Sequence, residues 1–141
     1  MKYILTLLCI YLLHFNCLGQ TDSNINTKRT ILQIETSHGD IFIRLLTEKA
    51  PKTCENFLSY VNDNYYNNTI FHRIIPGFII QGGGFEKGLI PKAFKEPITN
   101  ESKKSIKNTK GTIGMALNTN KASAASQFYI NLADNPDLDY N

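Results

Sequence analysis

Arg73 is the side chain most able to do chemistry in this sequence, because of its neighbours. It stands in Phe71-His72-Arg73-Ile74-Ile75-Pro76-Gly77-Phe78-Ile79-Ile80, a cation inside an apolar run. Two readings are open. A strand arginine can face solvent or cap a sheet through an ion pair. A guanidinium at the edge of an apolar pocket can instead donate hydrogen bonds to a ligand. Residue pattern alone does not separate the two.

Other candidates are weaker. Cys54 and His72 have the types of a nucleophile and its base. Cys54, however, falls on the apolar face of a predicted helix, and free cysteine is among the most buried residue types, so packing is the favoured reading. His14, His38 and His72 are scattered, and no pair has metal-ligand spacing, so no metal site is expected. Gly82-Gly83-Gly84 is followed by no lysine-serine/threonine pair and no helix start, which excludes a phosphate loop. Those glycines are expected to let the backbone turn sharply after a strand.

The elements that must carry these residues follow from periodicity. Thr30–Thr36 and Ile41–Leu46 are β-rich and flank the turn cluster Ser37-His38-Gly39-Asp40, which predicts a hairpin. Pro51 suits a first helical turn, and Cys54, Phe57, Leu58 and Val61 recur at spacings of three and four. A helix over 51–62 is expected, ended by Asn62-Asp63-Asn64, with Tyr65–Asn68 as a connecting loop. Further strands are expected over Ile70–Ile74, Phe78–Gln81, Thr112–Ala116 and Gln127–Leu132, with a long polar loop over Gly82–Lys110. Short strands, one clear helix and glycine-marked corners predict a mainly β barrel or sandwich with the helix packed on or across an end.

The chain has 141 residues, which fits one domain, and its 42% hydrophobic and 19% charged residues are ordinary for a globular protein. A net charge of +3, with no basic run, is too small to argue for nucleic acid or an anionic membrane. Lys103, Lys104 and Lys107 read as a solvated surface. Residues 1–19 read as a signal peptide: Lys2 precedes an apolar run from Tyr3 to Phe15, too short to span a bilayer, and Cys17-Leu18-Gly19 places small residues before a cut at Gly19-Gln20. Lipid anchoring at Cys17 is the less favoured alternative, since Asn16 is a poor residue before a lipidated cysteine. Cleavage leaves 14 basic against 12 acidic residues, a net +2, and leaves Cys54 without a thiol to pair with. Residues 20–29 are then a flexible lead-in, and 30–141 the domain.

The run from Phe71 to Gly83 resembles the signature block of the cyclophilins. Pro51-Lys52-Thr53 with Asn56-Phe57 resembles that family's first helix. Gly111-Thr112-Ile113-Gly114-Met115-Ala116 and Ser126-Gln127-Phe128-Tyr129-Ile130 resemble its later core strands. The match runs in order from about Ile31 to Asn141, and the triple glycine is similar to the exported bacterial branch. The resemblance implies a cyclophilin-like closed antiparallel β-barrel with a capping helix. It implies cis–trans isomerisation of peptide bonds preceding proline, without cofactor, metal or covalent intermediate. By the same resemblance Arg73 is catalytic, donating a hydrogen bond to the prolyl nitrogen as the bond twists. Phe78, Ile79, Tyr129 and Leu138 line the proline pocket, and Gln81 holds a substrate carbonyl with Gln127 nearby. Ala116 and Leu117 lie along the substrate backbone. His72 is a structural partner of Arg73. Many relatives have methionine where Ile79 stands, a swap that keeps volume and apolarity.

The implied partners are proline-containing polypeptides, among them unfolded exported proteins, met by a monomer in the periplasm or outside the cell; nucleic acid is not expected. A non-catalytic binding module or holdase is the rival reading. Two departures from the family stand out. Asp137 occupies a position where relatives usually carry tryptophan or another aromatic that helps enclose the pocket, so cyclosporin binding is expected to be weak. The chain stops at Asn141, whereas the family continues through a pocket histidine, further barrel strands and a second helix, so a fragment or truncated product is expected.

Overall fold

The computed structural model describes residues 30–117 and 124–140; the expected signal peptide and the whole of the lead-in lie outside these. Strand β1 (Ile31–Thr36) and β2 (Gly39–Arg44) form the predicted hairpin, in the register Ile31↔Arg44 to Thr36↔Gly39. Gly39 takes φ +113° at the turn, where a Cβ would strain the backbone. Helix α1 (Pro51–Asn62) follows, with Pro51 in its first turn. Then come β3 (Thr69–Ile75), β4 (Ile79–Glu86), the short β5 (Ile90–Pro91), β6 (Ile113–Leu117), β7 (Ala124–Asn131) and a 3₁₀ turn over Pro136–Leu138.

All pairings are antiparallel. The larger sheet runs β3-β4-β7-β6, with β5 added to the far end of β4. The closed barrel expected above is open here: among the described residues no strand of this sheet pairs with β1 or β2. Side chains join the two parts instead. Ile43 of β2, Phe57 of α1 and Phe128 and Ile130 of β7 form the buried cluster, with Leu32, Ile34 and Ile41 packed on it from the hairpin. Phe57 meets Phe128 edge-on at 5.6 Å between ring centroids, a favoured aromatic geometry.

The expected polar loop over 82–110 begins too early. β4 continues through Gly82, Gly83 and Gly84, all buried, to Glu86. The glycines do not turn the chain; they let other groups lie against it. A Cβ at Gly83, which has φ +80°, would come within 2.9 Å of both Phe128 and Tyr66. Pairing shifts from Thr69↔Glu86 to Phe71↔Gly82 mark the bulges that absorb this crowding. β7 likewise starts at Ala124, before the expected Gln127.

The helix face is also rotated from expectation. Cys54 and Phe57 are buried as predicted, but Leu58 is only half-buried, while Asn56 and Tyr60 are buried. Both are paid a polar partner: Asn56 Nδ2 donates to the Ala125 carbonyl at 2.7 Å, and Tyr60 Oη accepts from the Lys95 N–H at 2.8 Å. The helix N-terminus has no cap from Ala50; Glu101, from the loop before β6, accepts from the Thr53 N–H at 2.7 Å and its hydroxyl at 2.8 Å.

Candidate active site

Register places the key residues in one row. Arg73 on β3 faces Gln81 on β4, Gln81 faces Tyr129 on β7, and Tyr129 faces Gly114 on β6. Directly opposed residues project to the same side of a sheet, so three strands present a single line of side chains that ends against the bare backbone of Gly114. Gln127, two residues before Tyr129, shares that face. Arg73 Nη1 donates to Gln81 Oε1 at 3.3 Å, and Gln81 Nε2 donates to Gln127 Oε1 at 2.8 Å. Gln127 in turn lies across Gly84, where a Cβ would approach its Cγ and Nε2 to 2.6 Å.

Arg73 is exposed, and among the described residues its side chain forms no ion pair. Its neutral glutamine partner fixes the guanidinium plane while leaving other N–H groups to donate. The ion-pair reading of Arg73 therefore has no partner in this structure.

The apolar candidates come from three directions. Phe78 follows a turn in which its N–H returns to the Ile75 carbonyl at 3.1 Å, with Gly77 at φ +71°. Ile79 is buried, Tyr129 half-buried, and Leu138 is exposed on the 3₁₀ turn. Ala116 and Leu117 lie at the end of β6. A concavity of about 950 Å³ is lined by Arg73, Phe78, Ile79, Gln81, Ala116, Leu117, Tyr129 and Leu138. Gln127 is outside it and touches it only through Gln81. The same space extends to Phe42, Leu45, Phe57 and Met115, between the hairpin and β6, so it is wider than a single groove. Asp137 is exposed on the turn beside Leu138.

The tyrosine ring is tightly placed. Tyr129 Oη donates to Asn108 Oδ1 at 2.8 Å, and a Cβ at Gly114 would lie 2.7 Å from Oη and 2.8 Å from Cζ. Burial raises the Tyr129 phenol, and the Asp139 carboxylate raises it further, so it stays a neutral donor. His72 packs its ring 4.6 Å from that of Phe85, and its buried Nδ1 has no hydrogen-bond partner. Burial lowers its pKa and the Arg73 charge lowers it further, so it is neutral near pH 7. Cys54 is buried, its thiol pushed up by desolvation, which removes the thiolate a nucleophile needs.

Reading the sequence missed Asn108, Asn131, Asn135 and Gly114. Asparagines in a polar stretch resemble ordinary loop residues, and nothing in their spacing shows that they converge beneath Tyr129.

Residues 31–141 match the family model described as cyclophilin type peptidyl-prolyl cis-trans isomerase/CLD. The chain is 51% identical over 111 residues to peptidyl-prolyl cis-trans isomerase B of Escherichia coli, covering 79% of this chain and 68% of that protein. It is 52% identical over 106 residues to a peptidyl-prolyl cis-trans isomerase of Acinetobacter baylyi, covering 75% of this chain but only 56% of that relative's length. The fold is similar to the crystal structure of a Cryptosporidium parvum cyclophilin type peptidyl-prolyl cis-trans isomerase in the presence of the dipeptide Ala-Pro, with TM-score 0.67, 32% identity, and coverage of 78% of this chain and 72% of that one. The chain belongs to the cyclophilin-type peptidyl-prolyl cis-trans isomerase family.

Proposed function

We propose that this chain accelerates cis–trans isomerisation of peptidyl-prolyl bonds, with Arg73 as the catalytic group. The observation that carries the proposal is a guanidinium with no carboxylate partner among the described residues, hydrogen-bonded to Gln81 beside the apolar side chains Phe78, Ile79, Tyr129 and Leu138. Amide resonance sets the barrier to rotation at ~18–20 kcal/mol. In the planar bond the prolyl nitrogen's lone pair is delocalised and accepts weakly. In the twisted bond it is localised, so a hydrogen bond from Arg73 favours the transition state over the ground state. One charge-assisted hydrogen bond supplies ~1.5–3 kcal/mol. A millionfold acceleration needs about 8 kcal/mol. Desolvation of the amide, and apolar walls that hold the proline ring while its neighbour rotates, supply the rest. The Ala-Pro dipeptide present with the Cryptosporidium parvum relative supports proline-containing peptides as the substrate class.

The test is a prolyl-isomerisation assay on the full chain. Arg73→Ala is expected to lower kcat/KM roughly ten- to 150-fold, the loss of that one bond. Arg73→Lys, which keeps charge without the planar fork, is expected to recover little of it. If wild type and Arg73→Ala are equally slow while both bind the peptide, the chain is a proline-segment binding module or holdase instead.

We further infer that the substrates are exported polypeptides, on the strength of the apolar run Tyr3–Phe15 and the small residues before Gln20. A periplasmic or secreted product beginning at Gln20 is the expected outcome of N-terminal sequencing; a product retaining Met1, or one lipidated at Cys17, defeats that site.

A further inference from the structure

Asn108, in the loop before β6, uses all of its side-chain hydrogen-bonding capacity within the protein. Oδ1 accepts from Tyr129 Oη at 2.8 Å and Asn131 Nδ2 at 3.2 Å. Nδ2 donates to the Leu138 carbonyl at 2.9 Å and Asp139 Oδ1 at 3.2 Å. Its backbone takes part as well: its N–H donates to Asp139 Oδ1 at 2.8 Å, and its carbonyl accepts from the Asn135 N–H at 2.8 Å. The web reaches Phe78 by a second path. Asn131 is 1% exposed, and its Oδ1 accepts from Asn135 Nδ2 at 2.7 Å; that same Nδ2 donates to the Phe78 carbonyl at 3.0 Å.

Two walls of the groove, Tyr129 and Leu138, thus bond one amide directly, and the backbone of a third, Phe78, is linked to it through Asn131 and Asn135. An asparagine side chain offers two donors and two acceptor lone pairs, and all four are spent here. Asn108 therefore has nothing left for a substrate, although it borders the concavity. Its influence must pass through the residues it holds.

We propose that Asn108 is a positioning residue of the prolyl pocket, which holds the Tyr129 ring and the backbone of Leu138 in fixed relation across the groove. This rests on reading the groove as a prolyl-isomerase site. Held polar networks fix side-chain geometry only while complete, so loss of the Asn108 amide frees the Tyr129 phenol and the Leu138 carbonyl together and leaves Asn131 short of a partner. The phenol of Tyr129, left without an acceptor, would turn toward the groove or toward water.

The test compares wild type, Asn108→Ala, Tyr129→Phe and the double variant, all in the full chain, by steady-state isomerisation of a proline peptide and by thermal melting. Asn108→Ala is expected to raise KM roughly five- to thirtyfold with kcat altered less, whereas Arg73→Ala acts chiefly on kcat. Tyr129→Phe is expected to raise KM roughly two- to fivefold, and the double variant to match Asn108→Ala, because both changes cut the same tether. Asn108→Ala with a lowered Tm but wild-type KM, or losses that multiply in the double variant, would overturn the proposal. Should Asn108→Ala fail to fold, Tyr129→Phe decides: an unchanged KM overturns it. Should wild type isomerise no faster than Arg73→Ala, the isomerase reading falls. The Asn108 proposal is then judged by the proline-peptide Kd across the same variants, with equal affinities overturning it.

Discussion

Gly84→Ala is expected to slow the enzyme without weakening the fold. A Cβ at Gly84 would stand 2.6 Å from Gln127 Cγ and Nε2 and 2.7 Å from Cδ. Ordinary carbon contacts begin near ~3.5 Å, so the Gln127 side chain must leave its place rather than yield slightly. The cost is its 2.8 Å hydrogen bond from Gln81 Nε2, which steadies the oxygen that Arg73 contacts. Such a bond is worth about 0.5–1.5 kcal/mol, so kcat/KM should fall roughly two- to thirteenfold if the loss is felt in the transition state. The backbone pulls the other way. Gly84, unlike its neighbour Gly83, does not have positive φ. Replacing glycine by alanine at a compatible φ stabilises by ~0.4–1 kcal/mol through the unfolded chain. The same bond is lost from the fold and offsets that gain, so Tm should change little while kcat/KM falls. In a Gln127→Ala background the same Gly84→Ala change should be silent, since nothing remains to displace. Wild-type kcat/KM in Gly84→Ala, or a loss that persists without the Gln127 side chain, would refute the reasoning.

Glu101→Gln should destabilise the chain at neutral pH, by roughly 1–8 °C in Tm for a loss of ~0.3–1 kcal/mol at the start of α1. Desolvation raises the Glu101 pKa, but hydrogen bonds from Thr53 and Lys52, with Lys103 nearby, outweigh it and hold the group below its ordinary 4.5. A depressed carboxylate contributes stability above its unfolded pKa and loses it as pH falls through the folded one, so the gap should shrink as pH falls below the ordinary 4.5; a gap that does not narrow under acid sinks the assignment. Cyclosporin should inhibit weakly, because the exposed Asp137 offers no aromatic wall beside Leu138; an isomerase inhibition titration measures this, and inhibition made no stronger by Asp137→Trp counts against it.

The hairpin and α1 were legible in the sequence because their signals are local: β-rich runs about a turn, a proline in the first helical turn, an apolar repeat. Arg73 and Gln81 were legible only by family resemblance, since a row across β3, β4, β7 and β6 depends on register that no single strand encodes. Tyr60 escaped because its burial depends on the Lys95 N–H, which lies 35 residues away. Gly82–Gly84 read as a corner because glycine's freedom to turn and its lack of a side chain leave the same mark in a sequence. Here the second use is seen, with Phe71, Phe128 and Gln127 filling the space over the strand. The asparagine web was invisible for a related reason: each member is an unremarkable polar residue until the fold brings them together.

Tyr129 and Gly114 divide between them the room for one heavy atom. The phenol end of the ring crowds the place a methyl on β6 would take, with Oη at 2.7 Å and Cζ at 2.8 Å, so the two positions are one steric unit carried on two strands. A side chain at 114 would still meet Cζ at 2.8 Å after Tyr129→Phe, so the whole ring would have to move, and a moved tyrosine would part Oη from Asn108 Oδ1. Where the ring lies against β6 is thus settled jointly by positions 108, 114 and 129. A change at any one of them carries a different cost depending on what the other two hold.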